Sequence, residues 1–175
     1  QADDRPAVQA LGAEVLLLDL ANPASVSSLA WQLDGERVDL ALYVAGVWDG
    51  ANADTPPTQQ RFDQVMHSNV LGFMQALPQI APMVQAAGDV IAAFSSSMSL
   101  LSDADPQAWL YRVSKAALNM AVASAHQQWP GATVLALDPG WVQTDMGGEQ
   151  APLSVAHSVQ GLLAALASVS PADGG

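Results

Sequence analysis

The segment "DVIAAFSSS" (Asp89–Ser97) contains the pattern that decides the fold. An uninterrupted apolar run followed at once by serines predicts a short strand, buried on both faces, that ends in a polar turn. Two other segments have the same form, "RVDLALYVAG" (Arg37–Gly46) with a glycine exit and "ATVLALDPG" (Ala132–Gly140) with a Pro-Gly exit. A fourth, "AEVLLLDL" (Ala13–Leu20), is an apolar run with an aspartate near its end, and it also predicts a buried strand.

Helical patterns separate these strands. They cover Ala24–Gly35, Pro57–Gly88, Tyr111–Gln128 and Ser154–Val169. Strands that are apolar throughout and alternate with helices predict a doubly wound parallel sheet covered on both faces, in a three-layer α/β/α arrangement. The sequence therefore predicts a Rossmann-type α/β fold.

The long stretch Pro57–Gly88 contains an apolar stripe at three- and four-residue spacing, which is typical of one helix face. Its members are Phe62, Val65, Met66, Asn69, Val70 and Phe73. Pro78 and Pro82 follow, and proline inside a helix removes a hydrogen bond and bends or breaks it. We therefore expect one helix whose later part is bent or broken.

Composition restricts the function. The chain has 175 residues, of which 50% are hydrophobic and 13% charged, so a single domain with a sizeable core is expected. A formal net charge of −12 argues against nucleic acid and anionic membranes as partners. No signal peptide or membrane-spanning run is seen, and cysteine is absent, which excludes disulfides and cysteine-ligated metals. A soluble cytoplasmic protein is expected.

The strand exits are the places where a parallel α/β sheet binds ligands. Each predicted strand ends in a short polar or glycine-containing signature. These signatures are Asp19-Leu20, Ala45-Gly46, Ser95–Ser97 and Pro139-Gly140. The sequence thus predicts one ligand site along a single edge of the sheet.

Tyr111 and Lys115 lie four residues apart in "WLYRVSKAALNM" (Trp109–Met120), so their side chains share one helix face. A free tyrosine has a pKa near about 10, and a nearby ammonium lowers the pKa of the phenol by favouring the phenolate. Such a tyrosine can exchange protons at neutral pH as a general acid or base. The spacing alone equally fits a helix that carries an unrelated tyrosine and lysine.

Two neighbouring features support the catalytic interpretation. A hydroxyl from the cluster Ser95–Ser97, at a strand end, is placed to hydrogen-bond a substrate carbonyl, although such clusters are also ordinary turns. Asn69 occupies a position in the helical stripe where an apolar residue is expected. A buried asparagine needs partners, so Asn69 is either a satisfied core residue or part of a water relay.

Four motifs occur in one order along the chain. They are "VMHSNVLGFMQALP", the strand end "SSSMS", "YRVSKAALN" and "LDPGWVQTDMGG". Together they resemble the short-chain dehydrogenase/reductase family, and the resemblance covers essentially the whole chain. The segments "PGWVQTDMGG" and "APLSV" are most similar to the C-factor-type branch.

The resemblance implies an NAD(P)-dependent oxidoreductase that interconverts a carbonyl and an alcohol by hydride transfer. Tyr111 would be the acid/base. Lys115 would lower its pKa and hydrogen-bond the nicotinamide ribose. Ser96 would orient the substrate carbonyl, with its two serine neighbours left open as alternatives, and Asn69 would anchor a water that relays protons to Lys115. The alternative is a non-catalytic Rossmann-fold binding or assembly protein.

The resemblance also assigns residues to the cofactor, from the adenine end to the carboxamide side of the nicotinamide. They are Asp19, Leu20, Ala45, Gly46, Tyr111, Lys115, Pro139, Gly140, Val142 and Thr144. The choice between NAD and NADP is not readable, since the family makes it in segments that have no counterpart here. The substrate, a small carbonyl or alcohol compound, is not readable either.

The chain departs from the family pattern in two places. Tyr43-Val44-Ala45-Gly46 stands where the family has Asn-Asn-Ala-Gly. The glycine-rich loop that receives the pyrophosphate, with two strands and a helix, has no counterpart before Ala13. We therefore expect residues 1–175 to be one Rossmann-like domain that is incomplete at its N-terminus and at its C-terminus. The alternative is a relative that cannot bind a dinucleotide in the family's way.

The remaining candidate features have simpler interpretations. His67, His126 and His157 are far apart in sequence and lack ligand partners at close spacing, so no metal site is expected. The two long helices form the dimer or tetramer interface in the family. The resemblance therefore implies a homodimer or homotetramer built through residues such as Met74, Leu77, Met83, Ala117, Met120 and Val122.

Overall fold

A computed structural model describes residues 4–20 and 22–175 of the protein. Its sheet has three parallel strands in the order β1-β2-β3: β1 (Leu40–Tyr43), β2 (Val90–Phe94) and β3 (Thr133–Leu137). Tyr43 is level with Ala93, and Phe94 is level with Leu137. The three strand exits therefore meet at one edge, as the sequence predicts. The fold is α/β and Rossmann-like, with helices flanking a parallel sheet.

Helices connect and cover these strands. Ahead of β1 lie α1 (Arg5–Ala10), α2 (Pro23–Ser27) and α3 (Leu29–Gln32); after it come α4 (Gln59–Met66), a π-helical turn (His67–Leu71), α5 (Gly72–Ala87), α6 (Trp109–Gln128) and α7 (Val155–Ser168). Short 3₁₀ turns occupy Ser97–Ser99, Leu101–Asp103 and Pro171–Asp173. None of the described helices combines the length and the hydropathy needed to span a membrane.

The core lies between the sheet and the two long helices α5 and α6. Phe73 of α5, Ile91 of β2 and Leu118 of α6 are almost completely buried in one cluster. Val134 of β3 completes the contact between the strands and α6. This packing fixes α6 beside the exits of β2 and β3, and that placement positions the site described below.

The prediction of a strand over Ala13–Leu20 is wrong. The segment forms no strand with any described residue, and Leu16, Leu17 and Leu18 are 39%, 67% and 38% exposed. A strand needs a neighbour that accepts and donates its backbone hydrogen bonds. Within residues 4–20 and 22–175 no strand lies beside this segment, so the apolar run alone does not produce one.

The long helical prediction over Pro57–Gly88 requires two corrections. A π-helical turn at His67–Leu71 interrupts the α-helical pattern, and Phe62 of the predicted apolar stripe is 40% exposed. Pro78 and Pro82 do not break the chain's helical course, because α5 runs continuously from Gly72 to Ala87. The irregularity therefore lies about two turns ahead of Pro78, where the sequence pattern gives no signal.

Candidate active site

Tyr111 and Lys115 face the exits of β2 and β3 from the first turns of α6. Both side chains are buried, with 7% and 4% of their surfaces exposed. The Lys115 ammonium lies 5.5 Å from the centre of the Tyr111 ring and donates a hydrogen bond to the Phe94 carbonyl at 2.7 Å. The last residue of β2 thus fixes the lysine against the tyrosine, and the predicted pair is a real contact.

The electrostatic environment of this pair differs from the expectation. Burial raises the pKa of Tyr111, the Asp138 carboxylate raises it further, and a hydrogen bond with the Ser96 side chain opposes both. Burial lowers the pKa of Lys115 to about 8. The sequence predicts a lowered pKa for Tyr111, but here the buried phenol holds its proton. The Tyr111 phenol is therefore protonated at neutral pH.

The structure separates the three serines at the end of β2. The Ser95 hydroxyl donates to Asn119 Oδ1, so it belongs to the packing of α6. Ser97 is exposed, and its backbone N–H donates to Asp138 at 2.9 Å. Ser96 is the member whose side chain hydrogen-bonds Tyr111. The geometry therefore favours Ser96 as the hydroxyl beside the acid/base group.

Asn69 lies in the π-helical turn and is completely buried. Its Oδ1 accepts the Val47 N–H at 2.7 Å, and its Nδ2 donates to the Val47 carbonyl at 3.0 Å and to Ser114 Oγ at 2.9 Å. The Ser114 hydroxyl donates in turn to the Tyr111 carbonyl at 2.7 Å. Asn69 therefore ties the loop after β1 to the first turn of α6.

Tyr43 holds the π-helical turn from the sheet side. Its hydroxyl donates to the Ser68 carbonyl at 2.6 Å. A methyl group added at Gly72 would lie 2.5 Å from this hydroxyl, so only glycine leaves room for it. Burial raises the pKa of Tyr43 to about 12, which keeps the phenol protonated as a donor. Tyr43 thus supplies support at the position where the family has an asparagine.

The backbone at Gly46 lies close to the side chains of Asn69 and Lys115. A methyl group added there would lie 3.5 Å from Asn69 Oδ1 and 3.6 Å from Lys115 Nζ. Ala45 precedes it at the exit of β1 and is exposed. A bare backbone beside a buried ammonium fits the nicotinamide ribose, whose hydroxyls need a donor and a close approach.

The segment after β3 forms the other wall of the site. Gly140 adopts a positive φ of 76°, and an added methyl group would lie 2.5 Å from Leu153 Cδ1. Val142 bridges to Leu153, and Thr144 Oγ1 accepts the Gly147 N–H at 3.1 Å. The Pro139 carbonyl accepts the Ser158 hydroxyl at 2.7 Å, which attaches this segment to α7. The structure thus orders all four predicted residues in one turn.

Asp19 and Leu20 are connected to the site indirectly. Asp19 is exposed, and its backbone N–H donates to Ser25 Oγ at 2.9 Å. The Leu20 carbonyl contacts His67 Nε2 at 2.6 Å, at the start of the π-helical turn. Of the two residues predicted for the adenine end, Leu20 is therefore attached to the turn that holds Asn69, and Asp19 is attached to α2.

Comparison with known proteins decides the family. The short-chain dehydrogenase model described as "Enoyl-(Acyl carrier protein) reductase" matches residues 1–169. The chain belongs to the short-chain dehydrogenase/reductase family. C-signal of Myxococcus xanthus is 40% identical over 111 residues, which cover 61% of this chain and 67% of that protein. The predicted resemblance to the family and to its C-factor branch is confirmed.

Two solved structures show the same relationship. A short-chain dehydrogenase/reductase of Burkholderia multivorans with bound NADP is 29% identical, with a TM-score of 0.83 over 94% of this chain and 74% of that one. The NADPH-bound carbonyl reductase from chicken fatty liver is 27% identical, with a TM-score of 0.82 over 98% of this chain and 76% of that one. Members of this family that resemble the chain thus bind the phosphorylated dinucleotide.

Sequence reasoning missed Asp138 at this short-chain dehydrogenase/reductase site, and it offered Trp48 only as a tryptophan near the site, either lining an apolar substrate pocket or packing in the core or an interface. The Trp48 ring packs against Tyr111 with 4.7 Å between ring centres, and Asp138 acts electrostatically on the same phenol. Asp138 directly precedes the Pro-Gly exit, a position that the strand-exit rule itself singles out. Trp48 follows Gly46 by two residues, and its contact depends on the loop conformation. Asp138 therefore had a usable sequence signal, whereas the contact of Trp48 with Tyr111 had none.

The part of the chain that the structure describes contains no cluster of side chains that could hold a metal ion. No three histidine, aspartate or glutamate side chains converge among these residues. His67 contacts the Leu20 carbonyl, and His126 Nδ1 faces the Val134 N–H at 3.5 Å. Both histidines therefore serve local packing.

Proposed function

We propose that this protein interconverts a carbonyl and an alcohol with a nicotinamide dinucleotide, using Tyr111 as the acid/base group. The observation that carries the proposal is the contact set around the phenol. Tyr111 is buried, hydrogen-bonded to Ser96 and adjacent to the Lys115 ammonium at a shared strand exit. Membership of an oxidoreductase family with dehydrogenase relatives supports it.

The protonation state of Tyr111 suits the reducing direction. With its pKa raised, the phenol carries a proton at neutral pH and can give it to a carbonyl oxygen. Ser96 can donate a second hydrogen bond to the same oxygen. The Lys115 ammonium, 5.5 Å from the centre of the Tyr111 ring, is a group from which that proton can be replaced. The bound nicotinamide supplies the hydride.

The chain's residues fit the nicotinamide end of such a cofactor. Lys115 and Tyr111 would bind the ribose, the bare backbone at Ala45-Gly46 would lie beside it, and the turn after β3 would hold the carboxamide side. The residues of that turn are Pro139, Gly140, Val142 and Thr144. Asp19 and Leu20 would meet the adenine. NADP is the first choice to test, because two solved relatives contain NADP and NADPH.

The first experiment measures cofactor binding and turnover separately. We expect NADPH emission to change on titration with the protein, and carbonyl reduction to be measurable with simple ketones. Tyr111→Phe should retain NADPH binding and lose about 10²–10⁴-fold in turnover, the usual contribution of an acid/base group. Trp31→Phe, at an 80% exposed position in α3, is the control and should change neither measurement. Turnover retained by Tyr111→Phe would refute the assignment.

The pH dependence follows from the same pKa. Reduction needs the protonated phenol, so its rate should persist through neutral pH and decline only at alkaline pH. Oxidation needs the phenolate, so its rate should rise steadily with pH in the alkaline range. A reduction rate that already declines with rising pH before pH 7 is reached, as a single group loses its proton, would contradict a raised Tyr111 pKa. If neither NADH nor NADPH binds, the non-catalytic alternative takes the place of the oxidoreductase.

An oligomer through the long helices is part of the proposal. Met74 of α5 and Val113 and Met120 of α6 are 54%, 52% and 68% exposed, and the last two lie seven residues apart on one face. Leu77 and Val122, which sequence patterns also offered, are buried in the protein's own core. Light scattering should show a dimer or tetramer, and Met120→Glu should shift it toward monomer. A monomeric wild-type protein would refute the interface.

A further inference from the structure

Asp138 lies at the exit of β3, on the edge of the sheet where the strand exits meet. It follows β3 directly and is level with the end of β2, where the Ser95 N–H donates to the Leu137 carbonyl at 2.7 Å. Its Oδ2 accepts the Ser97 N–H and its Oδ1 accepts the Gly140 N–H, both at 2.9 Å. The carboxylate is therefore fixed between the serine cluster and the turn after β3. An ionised carboxylate has roughly four acceptor sites, so about two remain for a ligand.

Asp138 forms no ion pair with any residue in the described ranges 4–20 and 22–175. Four of the chain's five basic residues are engaged elsewhere. Arg37 pairs with Asp39 and Arg61 with Asp49; Arg112 donates to the carbonyls of Met98, Asp103 and Gln107, and Lys115 to that of Phe94. The side chain of Asp138 is nevertheless exposed, and its charge acts on Tyr111. The Asp138 carboxylate thus has no cationic partner among the described residues and is available to a cationic ligand beside Tyr111.

Trp48 offers the second element of the site. Its ring packs on Tyr111 at 4.7 Å and is still 39% exposed. The Arg61 guanidinium holds the segment by donating to the Trp48 carbonyl and pairing with Asp49 at 2.6 Å. The tryptophan is therefore a fixed and accessible aromatic face beside the phenol. An aromatic face and a carboxylate are the two groups that bind ammonium ions in proteins.

We propose that the substrate is an amino ketone or amino alcohol whose protonated amine is bound by Asp138 and the Trp48 face, next to the carbon that reacts at Tyr111. This inference rests on the proposed function and names the substrate class for it. In reduction the carbonyl carbon gains a hydride and its oxygen gains the Tyr111 proton. The ketone is thereby reduced by the two electrons that the dihydronicotinamide loses, and the ammonium group is unchanged.

The same arrangement disfavours anionic substrates. A carboxylate or phosphate placed beside the carbonyl would meet the charge of Asp138 at short range, where like charges repel. Lys115 forms no ion pair with Asp138, because its buried ammonium donates to the Phe94 carbonyl. The kcat/KM of neutral ketones should therefore lie between that of amino ketones and that of keto acids.

The test compares three ketones of similar size with NADPH: 2-aminoacetophenone (2-amino-1-phenylethanone), propiophenone and benzoylacetate. They place an ammonium, a methyl and a carboxylate group at the same position, and the assay pH is set where the amine is protonated. We expect kcat/KM to fall in that order, with about tenfold or more between the first two, as for a charge-assisted hydrogen bond. Asp138→Asn should lower kcat/KM for 2-aminoacetophenone by about that factor more than for propiophenone, whose own loss reports the effect on Tyr111 and on the Ser97 and Gly140 contacts.

Two variants serve as comparisons. Asp145→Asn removes an exposed acid from the same segment and should leave the order of the three ketones unchanged. Trp48→Leu should lower kcat/KM for the amine more than for propiophenone, by about fivefold, because only the cation uses the ring face. Equal losses on both substrates in Asp138→Asn would show that this residue serves Tyr111 or the cofactor, and would overturn the proposal.

A binding measurement separates this inference from the proposed function. Calorimetry on the NADP complex compares 2-amino-1-phenylethanol with 1-phenyl-1-propanol, which again differ by ammonium against methyl. Tighter binding of the amine, lost in Asp138→Asn, supports the inference even where turnover is slow. Equal binding of the two alcohols overturns the substrate class while NADPH binding and Tyr111-dependent reduction stand. Failure of NADP to bind at all refutes the proposed function itself.

Discussion

Two apolar runs of similar composition adopt different structures in this molecule, one a buried strand and the other an exposed segment. "VIAAF" (Val90–Phe94) becomes β2, with Ile91, Ala92 and Ala93 at most 1% exposed between two parallel neighbours. The leucines Leu16–Leu18 are between 38% and 67% exposed, and no described strand lies beside them. An apolar run thus becomes a buried strand only where partners on both sides satisfy its backbone and cover its side chains.

The largest expected effect tests this contrast with one substitution in the core that packs against β2 and one in the run Leu16–Leu18. Leu118, in α6 below the sheet, is completely buried, so Leu118→Ala should lower the free energy of unfolding by about 2–5 kcal/mol. Leu17→Ala, at a 67% exposed position, should change it by no more than about 0.5 kcal/mol. Urea unfolding measures both. Similar losses of free energy at the two positions would show that the run Leu16–Leu18 is packed as tightly as the core.

Gly72 lies where the two regions meet, since an added methyl group would be 2.5 Å from Tyr43 Oη and 3.0 Å from Leu20 Cδ1. Gly72→Ala should therefore lower stability by about 1–3 kcal/mol through overpacking. Gly161→Ala in α7, where no atom lies within 4 Å of the added methyl, should instead raise it by about 0.5–1 kcal/mol.

Tyr43→Phe removes the hydroxyl that Gly72→Ala would strike. The combined variant should therefore lose less than the sum of the two single losses, as for residues in direct contact. Strict additivity in thermal or urea unfolding would show that the Leu20 side, not the tyrosine hydroxyl, limits the space at Gly72.

The smallest effects compare a partly buried ion pair, Arg61–Asp49, with an exposed one, Arg37–Asp39. Arg61→Gln leaves Asp49, whose side chain is 9% exposed, without its cation, and should cost about 1–2 kcal/mol. Arg37→Gln breaks a pair whose side chains are 74% and 59% exposed, and should leave the melting temperature unchanged. An equal drop in melting temperature for the two variants would contradict the difference in burial between the regions.

Sequence patterns predicted the part of the fold in which local composition and tertiary context agree. The three paired strands lie within the predicted runs and are shorter, because the glycine, serine and Pro-Gly exits leave the ladder to form the site. The run Ala13–Leu20 was misjudged since pairing is a property of the neighbours. No residue pattern marks the π-helical turn, because its irregularity arises from contacts with Tyr43 and Val47.

The candidate site was predictable in membership more than in electrostatics. Asn69, Ser96, Tyr111 and Lys115 do lie together, because the strand exits and the first turns of α6 share one edge. The direction of the Tyr111 pKa was not predictable from the tyrosine–lysine spacing. It depends on burial and on Asp138, which reaches the phenol from a different strand.

The π-helical turn sets the rotational phase of the long helix. Buried side chains recur every four residues, at Val65, Asn69, Phe73, Leu77 and Ala81. In a regular α-helix of about 3.6 residues per turn, such a repeat drifts steadily around the axis and would leave the core. One wider turn at His67–Leu71 sets this drift back. Deleting a single residue there would therefore rotate the helix after the turn relative to the helix before it. Either Asn69 would turn away from the site or α5 would turn away from the sheet.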